Sequence, residues 1–328
     1  MEDTRKFVIG FDLGGTKMIS ALLEKETIKG RAKCTTNAQS GIDSVVDSII
    51  QCIHKSLEKA KVTINEVLGI GIAVPGVINR KEGIVVYTPN LGFNNFNLLE
   101  ILQREFQIPI ILENDVNAGV YGEYSKGAAR GYRHIVGIFP GTGIGGGLIL
   151  DGKLYHGATG NAGEIGHMII QNEGALCGCG QYGCLEAHAS RRAMAKEAVA
   201  ITSAGGAPLT LQEAGTDFKR FKSKVFANAY ERGEESIKAV VKKAAYYLGI
   251  GMANCVNIFN PEVIVLGGGL VEKLGKEYVA EAEKSMRAHA LPALVKDVKV
   301  VEASLGDDAI IYGAANIARD ELIMKNFE

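Results

Sequence analysis

Three cysteines stand within eight residues of the stretch "CGCGQYGC": Cys177, Cys179 and Cys184, with glycines at 178, 180 and 183. An odd, crowded set of thiols is better explained by metal than by disulfides in a reducing compartment, and soft thiolates joined by one imidazole suit tetrahedral Zn2+. His156, His167 and His188 are the candidates for the fourth ligand. If His167 ligates through one ring nitrogen, the other is left to orient a substrate hydroxyl. The other cysteines have plainer places: Cys255 falls on the apolar stripe of a helix, and Cys34 and Cys52 are isolated.

Two glycine-rich segments, "FDLGGTK" (11 to 17) and "PGTGIGGG" (140 to 147), each follow a first strand directly. Such turns leave amide N–H groups unshielded by side chains, which suits polyphosphate oxygens, and Thr16 and Thr142 add hydroxyls. Gly141, Gly143 and Gly146 also satisfy G-x-G-x-x-G, but that fingerprint should open a helix and here a hairpin follows, which disfavours a dinucleotide-binding oxidoreductase. Gly147, Gly152 and Lys153 imitate a P-loop until Leu154 replaces the required Ser or Thr. Asp12 ends the first strand and is a candidate oxygen ligand for Mg2+. Asp115, flanked by Asn114 and Asn117, is the candidate general base for phosphoryl transfer to an alcohol; the plainer alternative is a turn and helix cap. Glu164, His167 and Glu186 bracket the cysteines and suit sugar hydroxyls.

These residues need elements to hold them. Strands are expected over 6 to 13, 17 to 24 and 27 to 36, then a helix whose apolar positions Ile42, Val45, Val46, Ile49, Ile50, Ile53 and Leu57 step by three and four. A strand at 67 to 76, a loop, a short helix near "NLLEILQREF" and a strand at 108 to 115 complete this programme. Strands at 134 to 141 and 146 to 157, a long helix through "SIKAVVKKAAYYLGIGMANCVNIFN" and a strand at 262 to 270 begin it again, with 202 to 235 irregular enough to be an insertion. The expected fold is two related α/β domains facing one cleft, the first built from 1 to 115 plus the amphipathic helix of 307 to 328, the second from 116 to 306. A chain of 328 residues with 47% hydrophobic content can bury such cores. Its formal net charge of -1 gives no basic footprint for nucleic acid or anionic membrane, so small-molecule partners are expected. With no signal-peptide pattern and no long apolar run, the expected compartment is the cytoplasm.

The ordered set "FDLGGTK", "GIAVPG", "TPNLG", "ENDVNA", "GTGIGGG", "GEIGHM" and "CGCGQYGCLE" resembles the ROK family of repressors, open reading frames and sugar kinases, and within it the glucokinase branch. That resemblance implies an actin-like ATPase (ribonuclease H-like) fold, ATP with Mg2+, a structural Zn2+ and phosphorylation of a hexose 6-hydroxyl, with glucose expected ahead of mannose, fructose, N-acetylglucosamine or N-acetylmannosamine. It assigns Gly10, Asp12, Gly14, Gly15, Thr16 and Lys17 to the first phosphate segment and Gly141, Thr142, Gly143, Gly145 and Gly146 to the second. It places Gly267, Gly268 and Gly269 on the adenosine side. Asp115 matches the base, Asn90, Asn114, Asp115, Glu164, His167 and Glu186 the sugar contacts, and His167, Cys177, Cys179 and Cys184 the zinc set. A homodimer or higher homo-oligomer is expected from the family alone. Repressor members carry a helix-turn-helix domain before the first phosphate loop. This sequence reaches that loop by residue 12, so a DNA-reading role is not expected, and a catalytically dead sensor would lack the base that Asp115 supplies.

Overall fold

Alternation and apolar runs become strands where both faces find cover. The computed structural model describes residues 5 to 88 and 90 to 325. In its first half β1 (Phe7–Leu13), β2 (Lys17–Glu24) and β3 (Thr27–Thr35) lead to α1 (Ile42–Ala60), then β4 (Val67–Val74), β5 (Val77–Asn79), β6 (Ile84–Tyr87) and β7 (Asn94–Asn97). Next come α2 (Leu98–Phe106), β8 (Ile110–Asn114) and α3 (Asp115–Ser125). A five-stranded sheet runs in the order β3-β2-β1-β4-β8, antiparallel from β3 to β1 and parallel from β1 to β8. Helix α1 lays Val45, Val46, Ile49, Ile53 and Leu57 on it as its stripe requires, and the supposedly isolated Cys52 is buried in the same core. The segment expected to be a loop contains the small sheet β5-β6-β7.

The second half repeats the plan with β9 (Ile135–Pro140), β10 (Ile144–Leu150) and β11 (Lys153–Leu154), followed by helices α4 (Leu185–Ala189), α5 (Arg191–Ser203), α6 (Pro208–Ala214), α7 (Ser223–Glu231) and α8 (Glu235–Phe259). Then β12 (Val263–Leu266), α9 (Gly268–His289), α10 (Pro292–Val295) and β13 (Lys299–Glu302) close the unit. The sheet order β11-β10-β9-β12-β13 matches that of the first sheet, again with one antiparallel half and one parallel half. Residues 202 to 235, irregular in sequence, contain α6 and α7, and Ala214, Phe221, Val225 and Phe226 of this stretch lie in the core of this unit.

The chain divides into two compact units. One runs to Gly131 and takes in Leu154–Ala162 and everything from Asp307; the other comprises Tyr132–Lys153 and Gly163–Gly306. The boundary expected at 115 therefore falls later, because α3 packs on the last helix, α11 (Asp308–Lys325), which returns to the first unit. That packing is very close. A Cβ on Gly10 would lie 2.2 Å from the Ile311 carbonyl oxygen, and one on Gly71 1.9 Å from that of Ala314. The same approach joins α3 and α11, where a Cβ on Gly313 would lie 1.6 Å from the Ala118 oxygen. Gly71→Ala is therefore expected to cost about 1–3 kcal/mol of stability, read as a lower urea midpoint. Gly141→Ala, whose Cβ would meet nothing within 4 Å, should leave that midpoint unchanged.

Candidate functional site

In the first sheet β1, β4 and β8 are parallel, so their carboxyl ends share one edge. Asp12 arrives there from β1, and Asp115 from the residue after β8. Asp115 opens α3 instead of ending a strand, because the Asn114 side-chain oxygen accepts from Val116 N at 2.9 Å and Asn117 N at 3.1 Å and caps the helix. The Asn114 amide also donates to Gly76 O at 3.2 Å. Burial pushes the Asp12 carboxyl up to about 7, with the charges of Asp115 and Asp307 adding to the rise and Lys17 opposing it. Lys17 is itself 3.0 Å from Asp307. Asp307, just before α11, was missed in the sequence; the Gly-Asp-Asp punctuation ahead of an apolar helix was its only signal. Oxygen donors that repel one another across Asp12 fit a hard divalent cation such as Mg2+.

The turn between β1 and β2 is braced by Thr36, whose N donates to Thr16 O at 3.0 Å and whose hydroxyl donates to Gly14 O at 2.6 Å. Gly15 faces Asn90, whose Cβ would stand 3.2 Å from a Cβ placed on the glycine. Gly10, by contrast, lies within β1 opposite Ala21 and Gly71, and its missing side chain makes room for α11.

The second unit repeats the parallel edge: β9 and β12 end together, and Gly267 N donates to Ile138 O at 3.2 Å. This brings Gly141, Thr142 and Gly143 beside Gly267, Gly268 and Gly269 at the start of α9, where free helix N–H groups favour an anion. Gly145 and Gly146 sit inside the β9–β10 ladder opposite Phe139 and Ile138, so the open part of the loop is 141 to 143. Arg191, unnoticed in the sequence, donates to the Thr142 hydroxyl oxygen and, from Nη1, to Phe221 O at 3.0 Å.

His167, Cys177, Cys179 and Cys184 bring their donor atoms within 4.8 Å of one another. Cys179 Sγ lies 3.7 Å from Cys184 Sγ, and Cys177 Sγ 3.8 Å from His167 Nδ1. A tetrahedron with Zn–S bonds of about 2.3 Å has edges of about 3.8 Å, so the residues fit zinc. The other two histidines have separate partners. His188 Nε2 accepts from Ala175 N at 3.4 Å, and His156 Nε2 meets Glu113 at 2.7 Å in the first unit. With Nδ1 toward the sulfurs, His167 turns Nε2 toward Glu164 at 3.9 Å. Glu186 reaches both sides of this unit: Oε2 accepts from Ile144 N at 2.9 Å, beside the phosphate loop, while Oε1 lies 3.8 Å from Cys177 Sγ. The residues assigned to the sugar thus divide, with Asn90, Asn114 and Asp115 in the first unit and Glu164, His167 and Glu186 in the second. No helix among the described residues is long and apolar enough to cross a membrane.

A family model described as the ROK family matches residues 8–321. A glucokinase of Halalkalibacterium halodurans is 33% identical over 321 residues, covering 96% of each chain. A Streptomyces griseus ROK glucokinase, whose crystal structure holds glucose and AMPPNP, superposes with a TM-score of 0.82 at 30% identity over 96% of this chain and 99% of that one. A xylose repressor of Caldicellulosiruptor bescii is 31% identical over 96% of this chain but only 79% of its own.

With its carboxyl raised, Asp12 keeps in the folded state a proton that the unfolded chain, titrating near 3.8, has lost. Its contribution to stability is full below that value and falls as pH rises toward 7. In metal-free protein, Asp12→Asn should therefore match the wild type near pH 4 and exceed it by about 1–3 kcal/mol at pH 8. Denaturant titrations at both pH values measure this, and an equal difference at the two would mean that Asp12 titrates normally.

Proposed function

This chain belongs to the ROK family, and from that premise we propose that it is an ATP-dependent hexose kinase of the glucokinase type, converting glucose to glucose 6-phosphate. The observation that carries this reading is the placement of Asp12 and Asp115 on one sheet edge, with a glycine-rich phosphate segment in the same position of each of two identically ordered sheets.

In the reaction the sugar's 6-hydroxyl oxygen attacks the γ-phosphorus and Asp115 accepts the hydroxyl proton. The bond from the γ-phosphorus to the β–γ bridging oxygen breaks, and ADP leaves with that electron pair. Asn90, Asn114, Glu164, His167 and Glu186 hold the ring hydroxyls so that the attacking oxygen is presented in line. Amides of Gly14 and Gly15 and of Gly141 to Gly143, with the hydroxyls of Thr16 and Thr142, bind phosphate oxygens, and Gly267 to Gly269 face the adenosine side. Asp12 would hold Mg2+, which would neutralise phosphate charge when bound. His167, Cys177, Cys179 and Cys184 would hold Zn2+, which would brace the sugar loop and fix the ring of His167. The same reading places the protein in the cytoplasm as a homodimer or higher homo-oligomer.

A coupled ADP-release assay with ATP and Mg2+ over glucose, mannose, fructose, N-acetylglucosamine and N-acetylmannosamine tests the reaction, with turnover highest on glucose expected. Asp115→Asn should lower kcat about 10^2- to 10^4-fold while glucose binding is largely kept; a rate within a few-fold of wild type removes the base assignment. Cys179→Ser should reduce zinc per chain by elemental analysis and weaken glucose affinity before nucleotide affinity. Unchanged zinc content would count against the metal site.

A further inference from the structure

Beside the candidate base lies a carboxylate that the proposed reaction does not use. Glu113, the residue before Asn114, is 1% exposed, and its two oxygens meet four donors. Oε2 faces Arg80 Nε at 3.0 Å and His156 Nε2 at 2.7 Å. Oε1 accepts from the backbone N of Asn114 at 2.9 Å and from Asn117 Nδ2 at 3.0 Å. Arg80 is anchored in turn by Leu112 O at 3.1 Å and by Glu321 on α11.

We propose that Glu113 and His156 are positioning residues for the phosphoryl-acceptor side of the site, holding Asn114 and Asp115 in their working places. This rests on the reading of Asp115 as the base. Asp115 stands between two residues, Asn114 and Asn117, that the same buried carboxylate grips through different groups. Asn114 also caps α3, so a shift of Glu113 moves the helix start and the base together. Asn117 Oδ1 is buried with no hydrogen-bond partner, so the contact to Glu113 is what orients that amide. A buried ion cluster is weak evidence for stability, because apolar groups of similar volume serve as well or better. Placing a charge-bearing cluster next to the base is better explained by the orientation it imposes. Burial alone would push the Glu113 carboxyl up, but the His156 and Arg80 contacts, with Asn117, outweigh it and hold the group ionised below the usual carboxylate range.

His156 is the accessible end of the network. It arrives on the Leu154–Ala162 excursion into the first unit, which Ile78 N fastens by donating to Asn161 Oδ1 at 3.4 Å. The ring lines an open cavity of about 450 Å3 together with Arg80, Lys81, Thr159 and Asn161. A small heterocycle therefore has a route to the place the ring occupies.

The test compares His156→Ala and Glu113→Gln with wild type and with Asp115→Asn in the full-length protein, under ATP and glucose. Both positioning variants should lose about 10- to 100-fold in kcat, the scale of a misplaced reacting group, with KM for ATP unchanged. Added imidazole should restore part of the loss in His156→Ala and none in Asp115→Asn. His156→Ala removes a half-buried ring at a cavity wall, so it keeps the proposal testable if Glu113→Gln fails to fold. A kcat within twofold of wild type in His156→Ala overturns the proposal. So does a loss that imidazole leaves untouched and that weakens ATP and glucose equally. Wild-type turnover in Asp115→Asn would instead sink the base assignment alone.

Discussion

At Gly10 and Gly71 the final helix lies so close to the first sheet that not even a Cβ fits between them. Gly10 on β1 and Gly71 on β4 face the carbonyls of Ile311 and Ala314, while Gly122 and Gly313 let α3 and α11 meet backbone to backbone. Such contacts give many small dispersion gains over a wide area and leave little freedom for relative sliding. Their consequence is positional. Helix α11 fixes β1, which carries Asp12 near its end, fixes α3, which begins with Asp115, and brings Asp307 at its own entrance to the same cluster. The raised carboxyl of Asp12 follows directly: three acids are held where burial and mutual repulsion act together, and only Lys17 offsets them.

The second unit solves a similar problem with polar contacts. A loop bearing four metal-type donors is too irregular to be held by a ladder, and short bridges at Ile169 with Cys184 and at Leu176 with Tyr182 give it partial order. A metal ion would supply the remaining cross-link. Glu186 then passes that order on, because the carboxylate beside Cys177 also accepts from Ile144 at the phosphate hairpin. Gly143 has no side chain for a related reason: a Cβ there would lie 2.2 Å from Glu186 Oε2. The segment carrying the cysteines and the 140–147 turn of this unit are thus linked through the Glu186 carboxylate.

Glutamates serve in three different ways around the candidate site. Glu164 is exposed and faces His167 Nε2 at 3.9 Å, Glu186 spends one oxygen on structure, and Glu113 spends both. The difference lies in burial and in the number of donors that each environment presents. Sequence alone grouped the first two as sugar contacts and passed over the third, although it adjoins a quoted motif.

Local pattern determined a good deal. The periods of apolar residues placed α1, the long α8 and the first strands within a residue or two, and the repeated order of strands revealed two halves of one plan. Residue type and spacing also singled out the cysteine set and both glycine-rich turns as candidates, since soft donors and bare glycine amides are chemical properties that a sequence carries openly. What it left open were matters of distance between remote residues. By spacing alone His156, His167 and His188 were equal candidates; the resemblance favoured His167, and folding puts its ring against the sulfurs while the other two have separate partners. Gly10 and Gly141 read alike until one proved to be packed under a helix and the other open. The extent of the first unit, the packing of 202 to 235, and the placement of Asp307, Arg191 and Glu113 were all decided by contacts between segments far apart in the chain. Those contacts depend on which faces of the elements meet, and no local periodicity encodes that.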